Sequence, residues 1–330
     1  AEPPGLGSLK PRCSQSRVID MNRLVVLGSV NADHVLRVPH FPRPGETLTG
    51  HSYQVVPGGK GANQAVAAAR LGAAVSFIAR IGDDAIGRQM KAGFANDGID
   101  VSAVEQDEHL PTGIAIIYVS DEGENSIGIS AEANGALTPA VVKCHEALIA
   151  DAHTLLLQLE VPLESVLEAA RLARTHGTRV VLNPAPARPL SAELLALVDL
   201  ITPNQTEAEL LTGVKVTGEA SAAEAAARFH QMGIADVMIT LGSQGVYCSN
   251  GQQQALIPGF RVEAVDTTAA GDTFNGALLA AELAGADFHS AVRFAHGAAA
   301  LSVTRFGAQS SIPGKQEVDT FLQSQTAQGH

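Results

Sequence analysis

The stretch TLLLQLEVPLESVLEAARLARTHGTRVVLNP, residues 154–184, holds a helical repeat between two short apolar runs. The runs at 154–160 and 178–184 are rich in Leu and Val without polar alternation, which predicts strands buried on both faces. The segment 163–177 has the period of an amphipathic helix and ends in Gly, as helix C-termini commonly do. A strand, a helix and a strand in this order predict one unit of a parallel sheet.

The same alternation recurs along most of the chain. Further strand-like runs lie at 23–29, 74–80, 112–120, 197–204 and 235–242. Helix-period segments lie at 63–72, 206–213, 222–233, 274–285 and 288–307. The pattern predicts an α/β fold in which a doubly wound, mostly parallel central sheet is flanked by helices.

Three regions depart from this rhythm. Residues 33–57 and 112–130 are extended segments with turns and little helix, which predicts a small accessory β-sheet. Residues 1–20 contain three prolines and no periodicity, and we interpret them as a disordered or artefactual extension before a native start at Met21. Residues 21–330 are then expected to form one domain.

Composition excludes several classes of protein. Among 330 residues, 34 are acidic and 22 are basic, and the net charge of −12 argues against a surface that binds duplex nucleic acid. No apolar run approaches the ~20 residues of a membrane-spanning helix. The three cysteines form no CxxC pair, which predicts reduced thiols in a cytoplasmic protein. No HExxH motif or Cys/His cluster indicates a transition-metal site.

Polar residues stop four consecutive apolar runs, at Glu160, Asn183, Asn204 and Thr240. In open parallel sheets the ligand crevice lies outside the carboxyl ends of the strands, so the four positions together favour one binding site. Each position alone is equally compatible with a strand cap or a turn.

Three segments carry residues suited to chemistry. Gly58, Gly59 and Gly61 lead into an Ala-rich helix, which would let the backbone approach a ligand, although the spacing fits neither GxGxxG nor a P-loop. Asp272 lies in the first turn of a second helix, where free amides and a carboxylate suit phosphoryl transfer. The alternatives are a Gly-rich turn before a buried helix and a carboxylate that merely stabilises a helix N-terminus.

The third segment, GSVNADHVLRV at 28–38, places two polar residues just after the first strand. Asn31 and Asp33 are two positions apart, so in extended geometry their side chains point to the same side. A carboxylate beside an amide suits the vicinal hydroxyls of a sugar, whereas simple turn formation is the alternative.

From about residue 21 to about residue 322 the chain resembles the ribokinase-like family of carbohydrate and nucleoside kinases. The resemblance rests on six segments in order: GSVNAD (28–33), GGKGANQAVAAARLG (58–72), LNPAPA (182–187), PNQTEAE (203–209), TLGSQG (240–245) and DTTAAGDTFNGAL (266–278). The family fold is a doubly wound α/β domain with a small β-sheet lid, which fits the two extended regions. The lid often serves as the dimer interface, so the resemblance implies a homodimer.

The resemblance also implies roles for individual residues. Asp272 would be the base, and the amides of Ala269, Ala270, Gly271 and Asp272 would form the anion hole. The sugar would be held by Asn31, Asp33, Gly59, Lys60, Asn63 and Glu160. The nucleotide would be lined by Asn204, Thr240, Gly242, Gly245, Gly271 and His296, and Asn204 with Glu207 would organise magnesium and the triphosphate through water. A monovalent cation, usually potassium, would be bound by Asp266, Thr268, Ser302, Arg305, Gly307 and Ser311.

Two residues depart from the family pattern. Ala269 stands where a Gly is expected, and we expect it to be restricted to ordinary backbone geometry. Glu132 stands where a Gly is common after the lid strands, which puts the local turn or the fit of the substrate in question.

The resemblance implies ATP-dependent phosphorylation of D-ribose at its 5-hydroxyl, giving D-ribose 5-phosphate and ADP. An alternative within the family is a kinase for 2-deoxyribose, another pentose or a nucleoside. A non-catalytic sugar-binding protein on the same fold is disfavoured because Gly271 and Asp272 are both present. A dinucleotide-dependent dehydrogenase is disfavoured because no GxGxxG follows a strand.

Overall fold

The structure is a computed structural model that describes residues 20–327. The proposed N-terminal extension, residues 1–20, lies outside the described residues except for Asp20, which begins the first strand. The strands are β1 Asp20–Leu27, β2 Asn31–Val38, β3 Ser52–Gly58, β4 Ala74–Gly82, β5 Val104–Asp107, β6 Gly113–Ser120, β7 Asn125–Ser130, β8 Ala152–Leu157, β9 Arg179–Leu182, β10 Leu200–Ile201, β11 Asp236–Thr240, β12 Val246–Ser249 and β13 Gln254–Ile257.

The helices alternate with these strands over most of the chain. They are α1 Lys60–Arg70, α2 Ala85–Asn96, α3 Pro139–Cys144, α4 Glu146–Ala150, α5 Leu163–His176, α6 Ala192–Leu195, α7 Gln205–Thr212, α8 Glu219–Gln231, α9 Ala270–Leu283, α10 Phe288–Ser302 and α11 Lys315–Ala327. No helix in the described range 20–327 has both the length and the apolar composition needed to cross a membrane.

Nine strands form the central sheet, in the order β13-β12-β11-β10-β9-β8-β1-β4-β5. Every pairing from β11 to β5 is parallel, whereas β12 and β13 add an antiparallel edge. The unit at 154–184 is present as β8, α5 and β9, with β8 and β9 paired in parallel. The predicted doubly wound α/β fold is confirmed.

Helices cover both faces of this sheet, because alternate residues of each central strand are apolar on opposite sides. Leu24 and Val26 of β1 belong to the core beneath α1, α9 and α10, whereas Val25 and Leu27 belong to the core beneath α5 and α8. All four side chains are completely buried. This double burial explains why the strand sequences show apolar runs rather than alternation.

The predicted accessory sheet is also confirmed. It has four strands in the order β3-β2-β6-β7, and we call it the lid sheet. Strands β2 and β6 pair in parallel at its centre, and the two edge strands pair in antiparallel fashion. The first residue of β2 is Asn31 and the last residue of β3 is Gly58, so two of the segments singled out in the sequence meet where the lid sheet joins the central domain.

The largest errors in the predicted helix boundaries concern α9 and α10. Helix α9 begins at Ala270, four residues before the predicted 274, because the small residues before Phe274 already have helical geometry and Asp272 suits a first helical turn. Helix α10 ends at Ser302 instead of 307. There the carbonyl of Val303 accepts the backbone N–H groups of Val265 and Asp266, at 2.7 and 3.1 Å, which draws the chain away from the helix.

Helices α1 and α9 pack unusually closely. A Cβ atom added to Gly276 of α9 would lie 2.6 Å from the Cβ of Ala67 and 2.7 Å from the carbonyl oxygen of Gln64, both in α1. The glycine therefore permits a helix contact that a larger residue would open. This contact brings the N-terminal ends of the two helices, and the residues that they carry, together.

Candidate active site

Polar residues from four neighbouring strands gather at one edge of the central sheet. Glu160 follows β8 and Asn183 follows β9, while Asn204 follows β10 and forms a parallel bridge with Thr240 at the end of β11. This edge is formed by the carboxyl ends of the strands, where open α/β sheets bind their ligands. The four residues that stop the apolar runs are thus brought to one crevice.

The glycine-rich segment forms the turn into α1. Gly59 has a φ of 91°, and a Cβ atom there would lie 2.7 Å from the backbone nitrogen of Asn31, so the chains approach more closely than a side chain allows. The backbone N–H of Lys60 donates to Oε2 of Glu160 at 3.1 Å, and the hydroxyl of Ser29 donates to the same oxygen at 2.6 Å. The segments that follow β1 and β8 are thereby held to the first residue of α1.

Asp272 is buried in the first turn of α9, with 6% of its surface exposed. Its Oδ2 accepts a hydrogen bond from Nδ2 of Asn63 at 3.0 Å, and its Oδ1 accepts one from Nε2 of Gln64 at 2.9 Å. The Oδ1 atom of Asn63 is buried and has no hydrogen-bond partner among the described residues. Asn63 therefore offers an acceptor for a ligand hydroxyl beside an oriented carboxylate.

Four carboxylates surround the amino group of Lys60. Burial first, and then the nearby charges of Glu160 and Asp272, raise the pKa of Asp33 to about 7, although Lys60 opposes the change. Burial also raises the pKa of Glu207. Burial alone would lower the pKa of Lys60, but the surrounding carboxylates, Asp272 first among them, raise it above its ordinary value. The crevice is a dense cluster of buried and half-buried charges rather than a basic patch.

Asn31 is oriented by a residue that the sequence reasoning missed. Asn134, which is 1% exposed, donates from Nδ2 to Oδ1 of Asn31 at 2.8 Å and to the carbonyl of Val30 at 3.0 Å. Its Oδ1 accepts the backbone N–H of Val30 at 2.9 Å. In sequence, Asn134 precedes a glycine in a short polar stretch, which is the pattern of an ordinary turn and gave no signal of this role.

The two departures from the family pattern have the same backbone feature. Glu132 has a φ of 46° and Ala269 a φ of 59°, so both lie in the left-handed region. The expectation that Ala269 is restricted to ordinary backbone geometry was wrong: alanine, with a single methyl side chain, takes the conformation at a cost of roughly 1–2 kcal/mol. Ser130 donates its hydroxyl to Oε1 of Glu132 at 2.5 Å, which gives that carboxylate a local partner.

The turn at Ala269 exposes the N-terminus of α9. The first amides of a helix have no intrahelical acceptor. That of Ala270 donates to the carbonyl of Thr267 at 3.3 Å, whereas those of Gly271 and Asp272 are oriented by the helix but not used by it. The carbonyl of Gly271 accepts Nδ2 of Asn275 at 2.8 Å, which stabilises this turn. The segment has the geometry of an anion-binding helix terminus with a carboxylate inside it.

A cavity of about 930 Å³ opens beside this helix terminus. Four of the residues expected to contact a nucleotide line it: Thr240, Gly242, Gly271 and His296. Burial lowers the pKa of His296, although a hydrogen bond with the Gly245 backbone opposes the change. Phe260 and Phe274, which sequence reasoning missed, place their rings 6.3 and 6.1 Å from the imidazole. The cavity thus has an apolar, aromatic side suited to a base.

Asn204 and Glu207 form a capping box at the start of α7. The Glu207 backbone N–H donates to Oδ1 of Asn204 at 2.8 Å, and the Asn204 backbone N–H donates to Oε2 of Glu207 at 2.8 Å. The side-chain amide of Asn204 also donates to Oε1 of Glu207, at 3.1 Å. Both carboxylate oxygens of Glu207 are therefore engaged within the helix cap.

The residues expected to bind a monovalent cation surround Asp266. The Thr268 hydroxyl donates to Asp266 at 2.6 Å and the Gly307 backbone N–H at 2.9 Å, and these bonds hold the pKa of Asp266 below its usual range although burial would raise it. Ser302 and Ser311 are fully buried. Arg305 directs its guanidinium to Glu317 at 2.6 Å, which leaves only its main chain for this site. Within residues 20–327, no cluster of three or more His, Cys, Asp or Glu side chains could hold a metal ion.

Comparison with known proteins gives consistent results. Residues 21–315 match the pfkB family of carbohydrate kinases. The chain is 56% identical over 300 residues to the ribokinase of Haemophilus influenzae, covering 91% of this chain and 98% of that protein. It is 42% identical to the ribokinase of Bacillus subtilis, covering 92% and 100%. The structure of Arabidopsis thaliana ribokinase complexed with ribose and ATP superposes with a TM-score of 0.86 at 32% identity, covering 91% of this chain and 98% of that one.

The raised pKa of Asp33 predicts a pH-dependent contribution to stability. Its pKa is about 7 in the folded protein and 3.8 in the reference state, so the folded state binds the proton more tightly between these values. The contribution is fully present below about pH 4 and is lost as the pH rises through about 7. The measurement is urea unfolding of the wild type and of Asp33→Asn from about pH 5 to 8. The difference between their free energies of unfolding, wild type minus variant, should decrease as the pH rises.

Asp287→Asn is the control for this measurement. Asp287 caps α10 at the surface, and hydrogen bonds from Ser290 lower its pKa, so its contribution changes only in more acidic solution. The corresponding difference should be flat from about pH 5 to 8. A flat difference for Asp33→Asn as well would contradict the assigned titration of Asp33.

Proposed function

The chain belongs to the pfkB family of carbohydrate kinases and phosphorylates ribose with ATP, and we propose that the phosphoryl group is placed on the 5-hydroxyl with Asp272 as the base. The observation that carries this proposal is the position of Asp272. Its buried carboxylate lies in the first turn of α9, with the charged crevice under the lid sheet on one side and the cavity of about 930 Å³ on the other.

In this proposal the sugar binds between the lid sheet and α1. Asp33 accepts hydrogen bonds from two vicinal hydroxyls, and the free Oδ1 atom of Asn63 accepts from a third. Asn31 is already oriented by Asn134 and contributes its amide to the same pocket. The remaining contacts come from Gly59, Lys60 and Glu160, the last of which is held in place by Ser29.

The chemical step uses the two features of the α9 terminus. The carboxylate of Asp272, fixed by two amide donors, accepts the proton of the 5-hydroxyl as the oxygen bonds to the γ-phosphorus. The bond from that phosphorus to the β,γ-bridging oxygen breaks, and ADP leaves. The amides of the segment from Ala269 to Asp272 stabilise the charge on the transferred phosphoryl oxygens, since they are oriented before the reaction.

ATP occupies the cavity beside α9 in this arrangement. Its base lies against His296, whose lowered pKa keeps the ring neutral near pH 7, and against Phe260 and Phe274. Thr240, Gly242 and Gly245 follow the nucleotide towards the crevice, and Asn204 and Gly271 lie at its phosphate end. This order directs the γ-phosphate to Asp272.

Magnesium fits this site through water rather than through direct ligation. Each carboxylate oxygen of Glu207 already accepts a hydrogen bond from Asn204, and its remaining lone pair can accept one from a metal-bound water. Magnesium commonly keeps several waters and binds through substrate phosphates, and Asn204 and Glu207 would hold such waters. When bound, the ion neutralises charge on the phosphate oxygens.

We also propose that Asp266 and the 302–311 segment bind potassium. Carboxylate, hydroxyl and main-chain oxygens are the donors that a hard cation prefers, and Asp266 links the segment before α9 to Gly307. The site would then position the anion-binding turn at Ala269, which lies three residues after Asp266.

Potassium should stabilise the native protein if this site exists, because a ligand of the folded state raises its melting temperature. At equal ionic strength we expect a higher melting temperature and a higher kcat in potassium than in tetramethylammonium. Asp266→Asn should remove the difference in melting temperature, whereas Asp236→Asn, at the opposite end of the sheet, should keep it. Equal melting temperatures of the wild type in the two cations would rule out a potassium site at Asp266.

A homodimer through the lid sheet is a further part of the proposal. Tyr53, Ile127 and Ile129 of the lid strands are at least half exposed, an unusual density of large apolar side chains for a free sheet surface. Ile127→Asp should convert a dimer to a monomer in sedimentation experiments, while Leu210→Asp, on exposed α7, should leave it dimeric. A monomeric wild type would refute the dimer.

We also propose a cytoplasmic location, since Cys144 and Cys248 are free thiols.

The role of Asp272 predicts a large kinetic effect. Asp272→Asn should retain the fold and the thermal stabilisation by ribose but lower kcat by at least ~10²-fold, because general-base help contributes about 10²–10⁴. Asp287→Asn removes a carboxylate from the N-terminus of α10, away from the site, and should leave kcat unchanged. Turnover of Asp272→Asn within a few-fold of the wild type would rule out the assignment of the base.

A further inference from the structure

A chain of buried amide side chains connects the central sheet to Asp272. Gln64 of α1 is completely buried, and its Nε2 donates to Oδ1 of Asp272 at 2.9 Å and to Oδ1 of Asn183 at 3.0 Å. Its Oε1 accepts Nε2 of Gln158, a fully buried residue that follows β8, at 2.7 Å. Each polar atom of the Gln64 side chain therefore has a partner.

The orientation of the Gln64 amide is dictated by a backbone carbonyl at the far end of this chain. The carbonyl of Thr202 can only accept, and Nδ2 of Asn183 donates to it at 3.0 Å. Asn183 must then present its Oδ1 to Gln64, and Gln64 must donate to that oxygen from its NH₂ group. That same group faces Asp272, whereas a flipped amide would set an oxygen against the carboxylate.

The same sheet edge also supports the anion-binding turn. The hydroxyl of Thr202 donates to Oδ1 of Asn275 at 2.6 Å, and Nδ2 of Asn275 donates to the carbonyl of Gly271 at 2.8 Å. Thr202, the residue that follows β10, is thus connected to Asp272 through Asn183 and Gln64. It is connected to the N-terminal turn of α9 through Asn275. The carboxylate of Asp272 and the first turn of α9 are therefore both held by the same edge of the central sheet.

We propose that Gln64 is a positioning residue for the reaction: it holds the carboxylate of Asp272 in the direction needed to accept the proton from the sugar. The inference rests on the proposed function of Asp272 and adds a residue that acts through this carboxylate rather than on the sugar or the phosphoryl group. Asn63 binds the other carboxylate oxygen but points an open acceptor into the pocket, so sugar contact and base positioning are divided between neighbouring residues.

Two variants separate positioning from a purely structural role. Gln64→Met keeps the volume and removes the donor, so kcat should fall at least ~10-fold, since small misplacements of a reacting group can cost about 10²-fold. The KM values for ribose and ATP should stay within about twofold, because the interaction acts on the chemical step. Thr178→Val is the matched control: it removes a buried hydrogen bond to the carbonyl of Ile149, at 2.7 Å, far from the site, and should lower stability without lowering kcat.

A second variant, Gln64→Glu, gives a readout that a purely structural role of Gln64 would not change, namely the kcat–pH profile. The new carboxyl group faces Asp272, and the pair should share one proton, so the acidic limb of the kcat–pH profile should move up by about one pH unit or more. Lys60 on α1, Asp33 on the lid sheet and Glu207 on α7 also act on this cluster, and all three are the same in variant and wild type.

The outcomes are distinguishable from failure of the proposed function. A wild type that phosphorylates ribose, with Asp272→Asn inactive and Gln64→Met near wild-type kcat, would overturn the positioning role and leave the base in place. An unchanged kcat–pH profile in Gln64→Glu would overturn it as well. A fall in kcat of Gln64→Met with unchanged KM values and a shifted profile in Gln64→Glu would support it.

Discussion

The pair of hydrogen bonds from Asn63 and Gln64 to the carboxylate of Asp272 is the interaction on which the site depends. It joins two helix N-termini that are more than 200 residues apart in sequence. The close contact of α1 and α9 at Gly276 makes the pair possible, because any side chain there would separate the helices. The residues of α1 proposed to contact the sugar and the turn of α9 proposed to bind the phosphoryl group are thereby fixed relative to each other.

The net negative charge of the protein limits the ways in which it can bind a triphosphate. A net charge of −12 would repel a triphosphate if side-chain charge were the means of recognition. The crevice instead combines helix-terminal amides with a single buried amino group, that of Lys60, amid four carboxylates. The pKa of Asp33 is raised mainly by burial and then by the same crowding, since neighbouring negative charges disfavour a further one.

Much of the fold could be predicted from the sequence, because strands buried on both faces and amphipathic helices have distinct periods. The edge strands β12 and β13 and helix α2 were missed. Each of the two strands has only 4 residues, too few to show a period, and in α2 only Gly87, Met90 and Phe94 are buried. The left-handed backbone of Ala269 could not be foreseen either, because it is imposed by the turn between Asp266 and α9 rather than by the residue.

The residues proposed for the site could be picked out from the sequence to the extent that short segments carry them. Asp272, Asn31 and Asp33 stand in such segments, and their spacing already indicates a shared side or a helix terminus. Gln64, Asn134 and Phe260 gave no signal, because their roles depend on partners 70 or more positions away in most cases, such as Asn183 for Gln64 and Asn31 for Asn134. A sequence displays local pattern, whereas buried hydrogen-bond chains exist only after the elements pack.

The most direct test of the central claim is the identity of the product made from ribose. The purified protein would be incubated with ATP, magnesium and potassium, and with ribose, 2-deoxyribose, fructose or adenosine in turn, and products would be followed by ³¹P NMR. We expect ribose 5-phosphate and ADP in equal amounts, with the highest kcat/KM for ribose. Phosphorylation at another hydroxyl, a clear preference for 2-deoxyribose or adenosine, or no transfer to any of the four would contradict it.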